Sequence, residues 1–360
     1  MRVHLLKKTL AETLGHVERI IPPRSSNPTL SLLSLELAEN TLVLSGSNGD
    51  IDIQATLEAD TEGTGQLAIP AQVFGQVIKA LPGDTVELNR HEQELSIRSG
   101  SYATKLQLVD EAHNLEFSNH YSGALPAKDL EEALSHVRYA AATAEYQAIF
   151  RGVKLELADN RTRAIATDGF RLAYYHLEAS SGLDSQMVIP ARSVDEITRL
   201  LGGGEVQLEP QTGQLALATG FYKVNIKLME GTFPDYERVI PARFLINITL
   251  DAKRFYDAVA RVAVMADKSS NNRVDLFIKD GNLEINAEGA YGRSQESLEV
   301  SQEGSESQMA LAYNARYLMD ALQPMHGDVR ASFSGTTTPS VMASLQDPAY
   351  LSMVVPLRTG

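Results

Sequence analysis

Residues 155–175, LELADNRTRAIATDGFRLAYY, alternate apolar and polar side chains around Asn- and Gly-containing turns. Alternation with a period of two is typical of β-strands with one buried face, and Asp-Asn and Asp-Gly steps favour tight turns between them. The same design occurs in LELAENTLVLSGSNGDIDI at 35–53 and in LFIKDGNLEINAEGAYGRS at 276–294. Because the three stretches recur at a nearly constant spacing, they indicate an internal repeat.

Helices flank the strands of every repeat. Residues 3–21, 125–142 and 250–265 place apolar side chains at steps of three and four, the spacing of one helical face. In the first of these helices the face consists of Leu6, Leu10, Leu14, Val17 and Ile21. A shorter helix, closed by Pro or Gly, is predicted after each strand stretch. The three shorter helices lie within 69–83, 189–203 and 311–325.

Each repeat is therefore predicted to run helix, strands, helix, strands. Two helices and several antiparallel strands per repeat favour an α+β fold, with the helices on one side of the sheets. We predict three domains of this kind, at 1–122, 123–245 and 246–360. Three similar units in a row suggest a curved body, and a second copy that continues the curve can close it into a ring.

The composition excludes several classes of function. The chain has 360 residues, a net charge of −14 and no cysteine, which rules out disulfides and thiol catalysis and favours the cytosol. Its apolar runs are far shorter than the ~20 residues of a membrane span, and its N-terminus does not resemble a signal peptide. No motif names a catalytic residue. We therefore predict no enzyme activity, no cofactor, no metal site and no membrane partner.

The distribution of charge matters more than its sum. An acidic protein is a poor partner for nucleic acid unless its basic residues are segregated. The six predicted helical stretches carry slightly more Lys and Arg than Asp and Glu, so the acidic excess lies in strands and loops. Basic helices can then face DNA, through phosphate contacts that read no sequence. The alternative for each basic residue is an ordinary solvated helix face.

Three motifs resemble one known family. ATDGFRLA at 166–173, FPDYERVIP at 233–241 and MVVPLR at 353–358 are similar to the bacterial DNA polymerase III β subunit, the sliding clamp, and the resemblance covers the whole chain. It implies a head-to-tail homodimer that forms a closed ring of six DNA-clamp domains. Two helices per domain would line a hole for double-stranded DNA of any sequence, with antiparallel sheets outside. The resemblance implies no catalysis.

The resemblance also implies an apolar pocket where these motifs converge, which takes short apolar peptides. The implied partners are the DNA polymerase III α subunit, the clamp-loader δ subunit, and other polymerases and repair proteins. Carried over to this sequence, the pocket contains Phe150, Thr167, Gly169, Phe170, Arg171, Leu172, Pro234, Arg238, Val239, Asn314, Tyr317, Met353, Val354, Val355, Pro356, Leu357 and Arg358.

Several pocket residues have an alternative interpretation. Arg171 and Arg238 are expected to bond peptide carbonyls or carboxylates at the rim. Arg171 is alternatively a structural hydrogen-bond donor, and Leu172 and Val239 are alternatively plain core residues. The sequence departs from the family pattern at Phe170, where many relatives have His, and a larger apolar side chain there would change the cleft.

The DNA and dimer contacts are less sharply indicated. Arg24, Arg138 and Arg199 are the candidates for DNA contact. The dimer is expected to join SYATKLQLV at 101–109 of one copy to residues around 265–300 of the other. The strongest alternative from another class is a repeat-built transferase such as an enolpyruvyl transferase. The missing cysteine and the sparse basic loops count against that alternative.

Overall fold

The helices follow the predicted order. The structure is a computed structural model that describes residues 1–110, 114–144, 148–158 and 161–358. Within these residues the α-helices are α1 (Lys7–Ile20), α2 (Ala71–Ala80), α3 (Ala127–Arg138), α4 (Ala191–Ile197), α5 (Ala252–Val262) and α6 (Ala315–Leu322). None of these described helices combines the length and the apolar character that crossing a bilayer requires.

The strands fall into three corresponding groups. The first comprises β1 (Arg2–Leu6), β2 (Leu32–Ala38), β3 (Thr41–Ser47), β4 (Ile51–Glu58), β5 (Asp60–Glu62), β6 (Gly65–Pro70), β7 (Thr85–His91), β8 (Glu94–Ser99) and β9 (Tyr102–Gln107). The second comprises β10 (Gly123–Pro126), β11 (Gly152–Ala158), β12 (Arg161–Thr167), β13 (Arg171–Leu177), β14 (Ser185–Pro190), β15 (Glu205–Gln211), β16 (Gln214–Thr219) and β17 (Tyr222–Lys227). The third comprises β18 (Ile246–Asp251), β19 (Arg273–Lys279), β20 (Asn282–Gly289), β21 (Gly292–Glu299), β22 (Ser301–Gly304), β23 (Gln308–Asn314), β24 (Asp328–Phe333), β25 (Ser340–Ser344) and β26 (Tyr350–Val354).

The chain divides into two compact units. Unit 1 comprises Met1–Glu131, Ser180–Ser185 and Arg192–Leu228. Its sheets have the strand orders β5-β1-β7-β8-β9 and β10-β15-β16-β17-β4-β3-β2-β6. Helix α1 packs against α2 and against β3 and β4. The buried face of α1 includes Leu10, Leu14 and Val17 of the predicted apolar stripe, together with Thr13 and Ile20.

Unit 2 comprises Glu132–Ala179, Gln186–Ala191 and Met229–Gly360. Its sheets have the orders β14-β11-β12-β13-β26-β25-β24-β18-β22 and β21-β20-β19-β23. Helix α5 packs against α6 and buries Phe255, Val259 and Val262, as its spacing predicts. Both helices begin at a side-chain cap, since Asp251 accepts from the Arg254 amide and Asn314 from the Arg316 amide.

The α+β class and the repeated order of elements are confirmed, but the helix ends differ from the prediction. Residues 2–6 form β1 where a helix from residue 3 was expected. β1 pairs with β5 and β7, and its side chains alternate between the two faces of that sheet, so that Val3 and Leu5 are buried and Leu6 is 58% exposed. The second helices begin at Ala71, Ala191 and Ala315, because the preceding residues continue edge strands of the sheets.

In each unit one strand pairs with a strand that belongs to the neighbouring predicted domain. β17 pairs with β4, and β26 pairs with β13. Each of these sheets therefore joins strands of two neighbouring predicted domains, which is why the two compact units do not follow the three repeats. The boundaries at 122/123 and 245/246 remain predictions.

The backbone repeat extends to single hydrogen bonds. After the last strand of each repeat, one amide reaches back to an edge strand of that repeat. Val109 donates to the Ala68 carbonyl at 3.0 Å, Met229 to Val188 at 2.9 Å, and Leu357 to Ala312 at 2.7 Å. The chain end near Leu357 is therefore fixed by the same bond that fixes the two earlier linkers.

Candidate functional site

The three sequence motifs meet in one buried cluster of unit 2. Leu172 from the first motif, Phe233 and Tyr236 from the second, and Met353 from the third belong to the same hydrophobic core cluster. Strand pairing aligns two of them, because Leu172 lies opposite Met353 where β13 meets β26. The remaining buried members are Ile165, Val188 and Val341. The tertiary fold thus joins segments that are distant in sequence.

A tight turn at 167–171 presents the rim of the site. The Thr167 hydroxyl donates to the Arg171 carbonyl at 2.7 Å and accepts from the Gly169 amide at 3.1 Å. The Asp168 carboxylate accepts from the amides of Phe170 and Arg171 at 2.9 and 3.0 Å. Gly169 has a φ of +88°, a left-handed conformation that favours glycine. The turn leaves Phe170 54% exposed despite its aromatic side chain.

The C-terminal segment 353–358 is fastened next to this turn. The Val355 amide donates to the Phe170 carbonyl at 2.8 Å, and the Leu357 amide donates to Ala312. Val354 and Pro356 are buried, whereas Arg358 is exposed. The segment therefore lies beside Phe170, and hydrogen bonds of Val355 and Leu357 hold it in place.

The segment 233–239 is anchored by a phenol. Tyr236 donates to Glu156 Oε2 at 3.0 Å and accepts from Arg163 Nη1 at 3.2 Å. Burial raises the pKa of the Tyr236 hydroxyl, and the neighbouring Glu156 carboxylate raises it further. The hydroxyl therefore stays protonated at neutral pH and keeps donating to the carboxylate. This anchor fixes the short helical turn that carries Val239, which is 48% exposed.

Arg171 is held inside unit 2 by two carboxylates and two rings. Its Nε donates to Asp168 Oδ2 at 2.9 Å, and its Nη1 pairs with Asp320. The guanidinium carbon lies 4.4 Å from the ring centroid of Tyr317 and 5.4 Å from that of Tyr139. Only 11% of the side chain is exposed. This geometry favours the structural alternative for Arg171, because its Nε and Nη1 donors are already used.

A cluster of hydroxyl groups lies next to Arg171, and Tyr139 is the member of the cluster that contacts the guanidinium. The Tyr139 hydroxyl shares hydrogen bonds of 2.8 Å with the Tyr350 hydroxyl and with Ser352 Oγ. Burial raises the pKa of Tyr139 to about 12, so its phenol is neutral at physiological pH. Because Ser352 and Tyr350 belong to β26, the cluster links the position of Arg171 to the strand that carries Met353.

The predicted pocket residues separate into a floor, a margin and a rim. The buried floor consists of Thr167, Leu172, Met353, Val354 and Pro356. The half-buried margin consists of Phe150, Arg171, Pro234, Asn314, Tyr317, Val355 and Leu357. The exposed rim consists of Gly169, Phe170, Arg238, Val239 and Arg358. Leu172 is buried, which fits the alternative that it is a plain core residue. Val239 is exposed, which does not fit that alternative.

Phe150 packs against neighbouring side chains, whereas Arg238 is almost fully exposed. The Phe150 ring meets Phe233 edge to face at 6.4 Å, and a Cβ placed on Gly169 would lie 3.7 Å from the Phe150 ring. Phe150 therefore closes the site behind the turn. Arg238 is 85% exposed at its side chain and pairs only 2.7 Å away with Asp235. An exposed pair of this kind is weak, so its guanidinium remains able to exchange partners.

Comparison with known proteins identifies the family. The profiles of the DNA polymerase III beta subunit match at residues 1–116 for the N-terminal domain, 124–235 for the central domain and 237–358 for the C-terminal domain. The chain belongs to the DNA polymerase III beta subunit family. Members of this family are sliding clamps, which act as processivity factors and not as enzymes.

The relatives cover the chain from end to end. The beta sliding clamp of Staphylococcus aureus is 26% identical over 96% of both chains. The structure of the sliding clamp of Pseudomonas aeruginosa bound to griselimycin has a TM-score of 0.93 at 24% identity, and that of Bacillus subtilis has 0.94 at 24%, each covering 100% of both chains. At 24% identity these two structures show that the chain has the clamp fold, and nothing beyond the fold.

The three arginines proposed for DNA contact are differently placed. Arg24 is exposed in the loop between α1 and β2, in unit 1. Arg199, also exposed, pairs with Glu196 at 3.0 Å. Arg138 is half-buried in unit 2, and its Nε donates to the Ala191 carbonyl at 2.8 Å. Arg138 therefore holds the start of α4 and has less freedom than the other two to meet a phosphate of DNA.

Sequence reasoning missed the residues that support the candidate site from other elements. Asp320 on α6 and Tyr139 after α3 fix Arg171, and Glu156 and Arg163 fix Tyr236. None of these side chains lies in a motif that marks it. Glu156 and Arg163 did offer one signal, because they place opposite charges on two strands that are adjacent in the sequence. In the structure these two charges lie at a face that Tyr174 and Tyr236 cover.

Proposed function

We propose that two copies of this protein form a closed ring around duplex DNA, and that the ring tethers client proteins through the site built around Phe170. The clients are the DNA polymerase III α subunit, the clamp-loader δ subunit, and other polymerases and repair proteins, in the cytosol. The single observation that carries the proposal is the convergence of the three motif segments on one apolar cluster with an exposed apolar rim.

The chemistry of the site suits short extended peptides. Apolar side chains at both the floor and the rim can bury Leu or Phe anchors, which are the residues that concentrate binding energy in such sites. The turn and the C-terminal segment are held by backbone hydrogen bonds, so little of the site has to order on binding. The peptide itself loses entropy, which favours modest affinity and exchange between clients.

A matched pair of substitutions tests the peptide site. Val239→Asp adds a charge to the rim, and Phe221→Asp adds the same charge to a residue of unit 1 with nearly equal exposure, 47% against 48%. We expect Val239→Asp to weaken the binding of a labelled apolar client peptide at least tenfold by fluorescence anisotropy, and Phe221→Asp to change it less than twofold. Equal effects of the two variants would contradict the proposed site.

The dimer proposal rests on two sheet edges. β9 ends one sheet of unit 1, and β21 ends one sheet of unit 2. By repeat position β9 corresponds to β17, since Tyr102 and Tyr222 open these strands after equivalent turns. β21 corresponds likewise to β4 and β13. Because β17 and β26 each pair with such a strand within the chain, we infer that β9 of one copy pairs with β21 of the other.

The repeat also gives the register of this pairing. Val224 lies opposite Ile53, and Ser352 lies opposite Ala173. The corresponding residues are Thr104 on β9 and Ser294 on β21, so these two are expected to face each other across the dimer. Exposed apolar side chains near β21 support an interface there, since Tyr291 is 95% and Val264 76% exposed.

Engineered cysteines test the register, because the chain contains no natural cysteine. Thr104→Cys combined with Ser294→Cys should give disulfide-linked dimers on mild oxidation. The control combines Thr104→Cys with Gln295→Cys, whose side chain points to the opposite face of the strand. If the control cross-links as efficiently as the Ser294→Cys pair, the proposed register is wrong.

The same cross-linked protein tests encirclement. Dilute subunits are mixed with a nicked circular plasmid, oxidised, and washed at high salt, which removes ordinary phosphate contacts. We expect retention on the circle that is lost when the plasmid is linearised or the disulfide reduced. Retention that survives linearisation, or no salt-resistant retention at all, would contradict a ring that encloses DNA.

A further inference from the structure

Three potential metal ligands come together on unit 2, and none of them belongs to the predicted pocket residues, which form the proposed client site. Glu132 and His136 lie one helical turn apart on α3, and Asp347 lies in the turn between β25 and β26. One ligand atom from each side chain lies within 4.8 Å of the other two. We propose that Glu132, His136 and Asp347 bind a first-row divalent metal ion, for which Zn²⁺ is the best match.

His136 is already oriented as a metal ligand. Its Nδ1 lies 2.7 Å from the Glu132 carbonyl oxygen. A carbonyl only accepts hydrogen bonds, so Nδ1 is the donor of this bond and Nε2 is the ring nitrogen left to bind an ion. Histidine ligands of metals usually have their second ring nitrogen fixed by a carbonyl or carboxylate in this way. The ring is also packed between Tyr175 and Tyr350, at centroid distances of 4.8 and 5.4 Å.

Asp347 is fixed by backbone groups outside the ligand set. Its Oδ1 accepts from the Ala349 amide at 3.1 Å, and its own amide donates to Ser344 Oγ at 3.1 Å. These bonds hold the carboxylate in place and leave Oδ2 for an ion. Asp347 and His136 are half-buried, whereas Glu132 is exposed. Two of the three ligands are therefore positioned in advance, and the exposed Glu132 side chain is able to adjust.

The donor set determines the class of ion. One imidazole nitrogen with two carboxylates suits Zn²⁺ and its first-row neighbours, whereas Mg²⁺ and Ca²⁺ prefer oxygen ligands alone. Zn²⁺ with three protein ligands takes water as the fourth, at bond lengths of about 2.0–2.2 Å. Tetrahedral ligands at that radius lie about 3.5 Å apart, so the three side chains have to close by roughly 1 Å around the ion.

The first repeat contains a natural comparison for this site. Glu12 and His16 have the same spacing on α1, and the His16 ring meets Tyr222 at 5.6 Å as the His136 ring meets Tyr350. Before Tyr222, however, the chain turns through Gly220 and Phe221, which offer no carboxylate or imidazole ligand. Of these two histidine-bearing helices, only α3 therefore lies beside a third ligand, Asp347, which comes from the third repeat.

A bound ion would connect α3 to the turn that precedes β26. This strand carries Tyr350 and Ser352 of the hydroxyl cluster and Met353 of the client-site floor. The ion would therefore stabilise the pairing of β26 in unit 2, and the thermal midpoint of unfolding should rise with metal concentration. The sequence does not indicate this site, because Asp347 is far along the chain from the helix that carries the other two ligands.

Metal titration of the intact protein without an affinity tag tests the proposal. After treatment with a chelator and its removal, Zn²⁺ is added in a calorimeter, and Co²⁺ is added in parallel to read coordination from its visible absorption. We expect one Zn²⁺ per chain. Asp347→Asn and His136→Ala should each weaken binding at least tenfold, because each removes one ligand. The matched control His16→Ala should change binding less than twofold.

The variants also separate loss of the site from loss of the fold. Circular dichroism of the metal-free variants should match that of the metal-free protein, and Asp347→Asn keeps the shape of the side chain. Binding that is absent from the unaltered protein would overturn the proposal. Stoichiometric binding that survives both Asp347→Asn and His136→Ala, or that His16→Ala weakens equally, would overturn it as well.

Discussion

The turn at 167–171 in unit 2 and the turn at 47–51 in unit 1 have the same backbone design. Gly169 and Gly49 adopt φ values of +88° and +90°. The Phe170 carbonyl accepts from the Val355 amide at 2.8 Å, and the Asp50 carbonyl accepts from the Lys227 amide at 2.9 Å. Thr167 pairs with Leu172 as Ser47 pairs with Asp52. The repeat has therefore built the backbone geometry of this turn twice.

The two turns differ in what surrounds them. Under the first, Leu172 lies opposite Met353, and both are buried apolar residues. Under the second, Asp52 lies opposite Asn225, and the Asn225 amide group donates to the Glu116 carbonyl at 2.8 Å. Phe170 of the first rim corresponds to Asp50 of the second. The two turns therefore share a backbone conformation and differ in the side chains beside them. If the proposed function is right, only the apolar surroundings of the first turn can bind an apolar peptide.

Removing residues 356–360 is expected to have the largest effect. The truncated chain loses the Leu357 bond to Ala312 and the buried Pro356 next to the Phe170 turn, whereas the turn at 47–51 is untouched. We expect client-peptide affinity to fall at least 100-fold by anisotropy and the native mass to remain that of a dimer. If the truncated chain is monomeric, or binds peptide normally, our assignment of the C-terminal segment to the client site is wrong.

Exchanging the two rim residues tests the comparison itself. Phe170→Asp gives the first turn the side chain of the second, and we expect at least a tenfold loss of peptide affinity because the charge must be desolvated. The reciprocal change Asp50→Phe should leave the affinity within twofold and create no second site, since the floor below it is Asp52 and Asn225. Two peptides bound per Asp50→Phe chain would mean that the rim alone makes the site.

Tyr236→Phe should act on stability more than on binding. It removes one hydrogen bond from Glu156 and one from Arg163 in a partly buried place, while Lys154 and Glu237 still pair with these two charged groups. A loss of about 1–3 kcal/mol in the free energy of unfolding is expected from such a deletion. Denaturant unfolding of the variant checks this, with Tyr291→Phe as a control because Tyr291 is 95% exposed. Equal stability of the two variants would show that the phenol anchor contributes nothing.

Arg171→Lys should have the smallest effect of the four. Lysine keeps the charge but loses the planar contact with Tyr317 and one of the two carboxylate pairs. We expect a loss of about 1 kcal/mol in stability and a decrease of no more than fivefold in peptide affinity. The corresponding residue of the second turn is Ile51, so a positive charge is not needed to form the turn. A loss of affinity as large as that of Phe170→Asp would instead make Arg171 a direct peptide contact.

Local patterns in the sequence were sufficient for the repeated elements. The spacing of Phe255, Val259 and Val262 predicts the buried face of α5, and the alternation in 155–175 predicts β11 to β13. The start of the chain was predicted wrongly, because the apolar residues of RVHLL fit a strand and the following helix equally well. Pairing with β5 and β7 decides between them, and that pairing is not visible in the local sequence.

The candidate site was predictable only as far as its motifs reach. The three motif segments are recognisable in the sequence, and in the structure they contribute to one buried cluster. That this cluster belongs to a peptide pocket stays a prediction. The contacts of Arg171 with Asp320 and Tyr139 were not predictable, because they depend on how α6 and the end of α3 pack against β13. For the same reason the sequence did not separate the buried floor residue Leu172 from the exposed rim residue Val239.

The most direct test of the client site follows the methionine methyl groups of the intact protein by NMR during titration with an apolar client peptide. Substitution of Met353 by Leu assigns its signal. We predict that the Met353 methyl signal shifts in proportion to peptide saturation, whereas the signal of Met1, which lies in unit 1, stays in place. Saturable peptide binding with an unmoved Met353 signal would show that clients dock elsewhere on the protein.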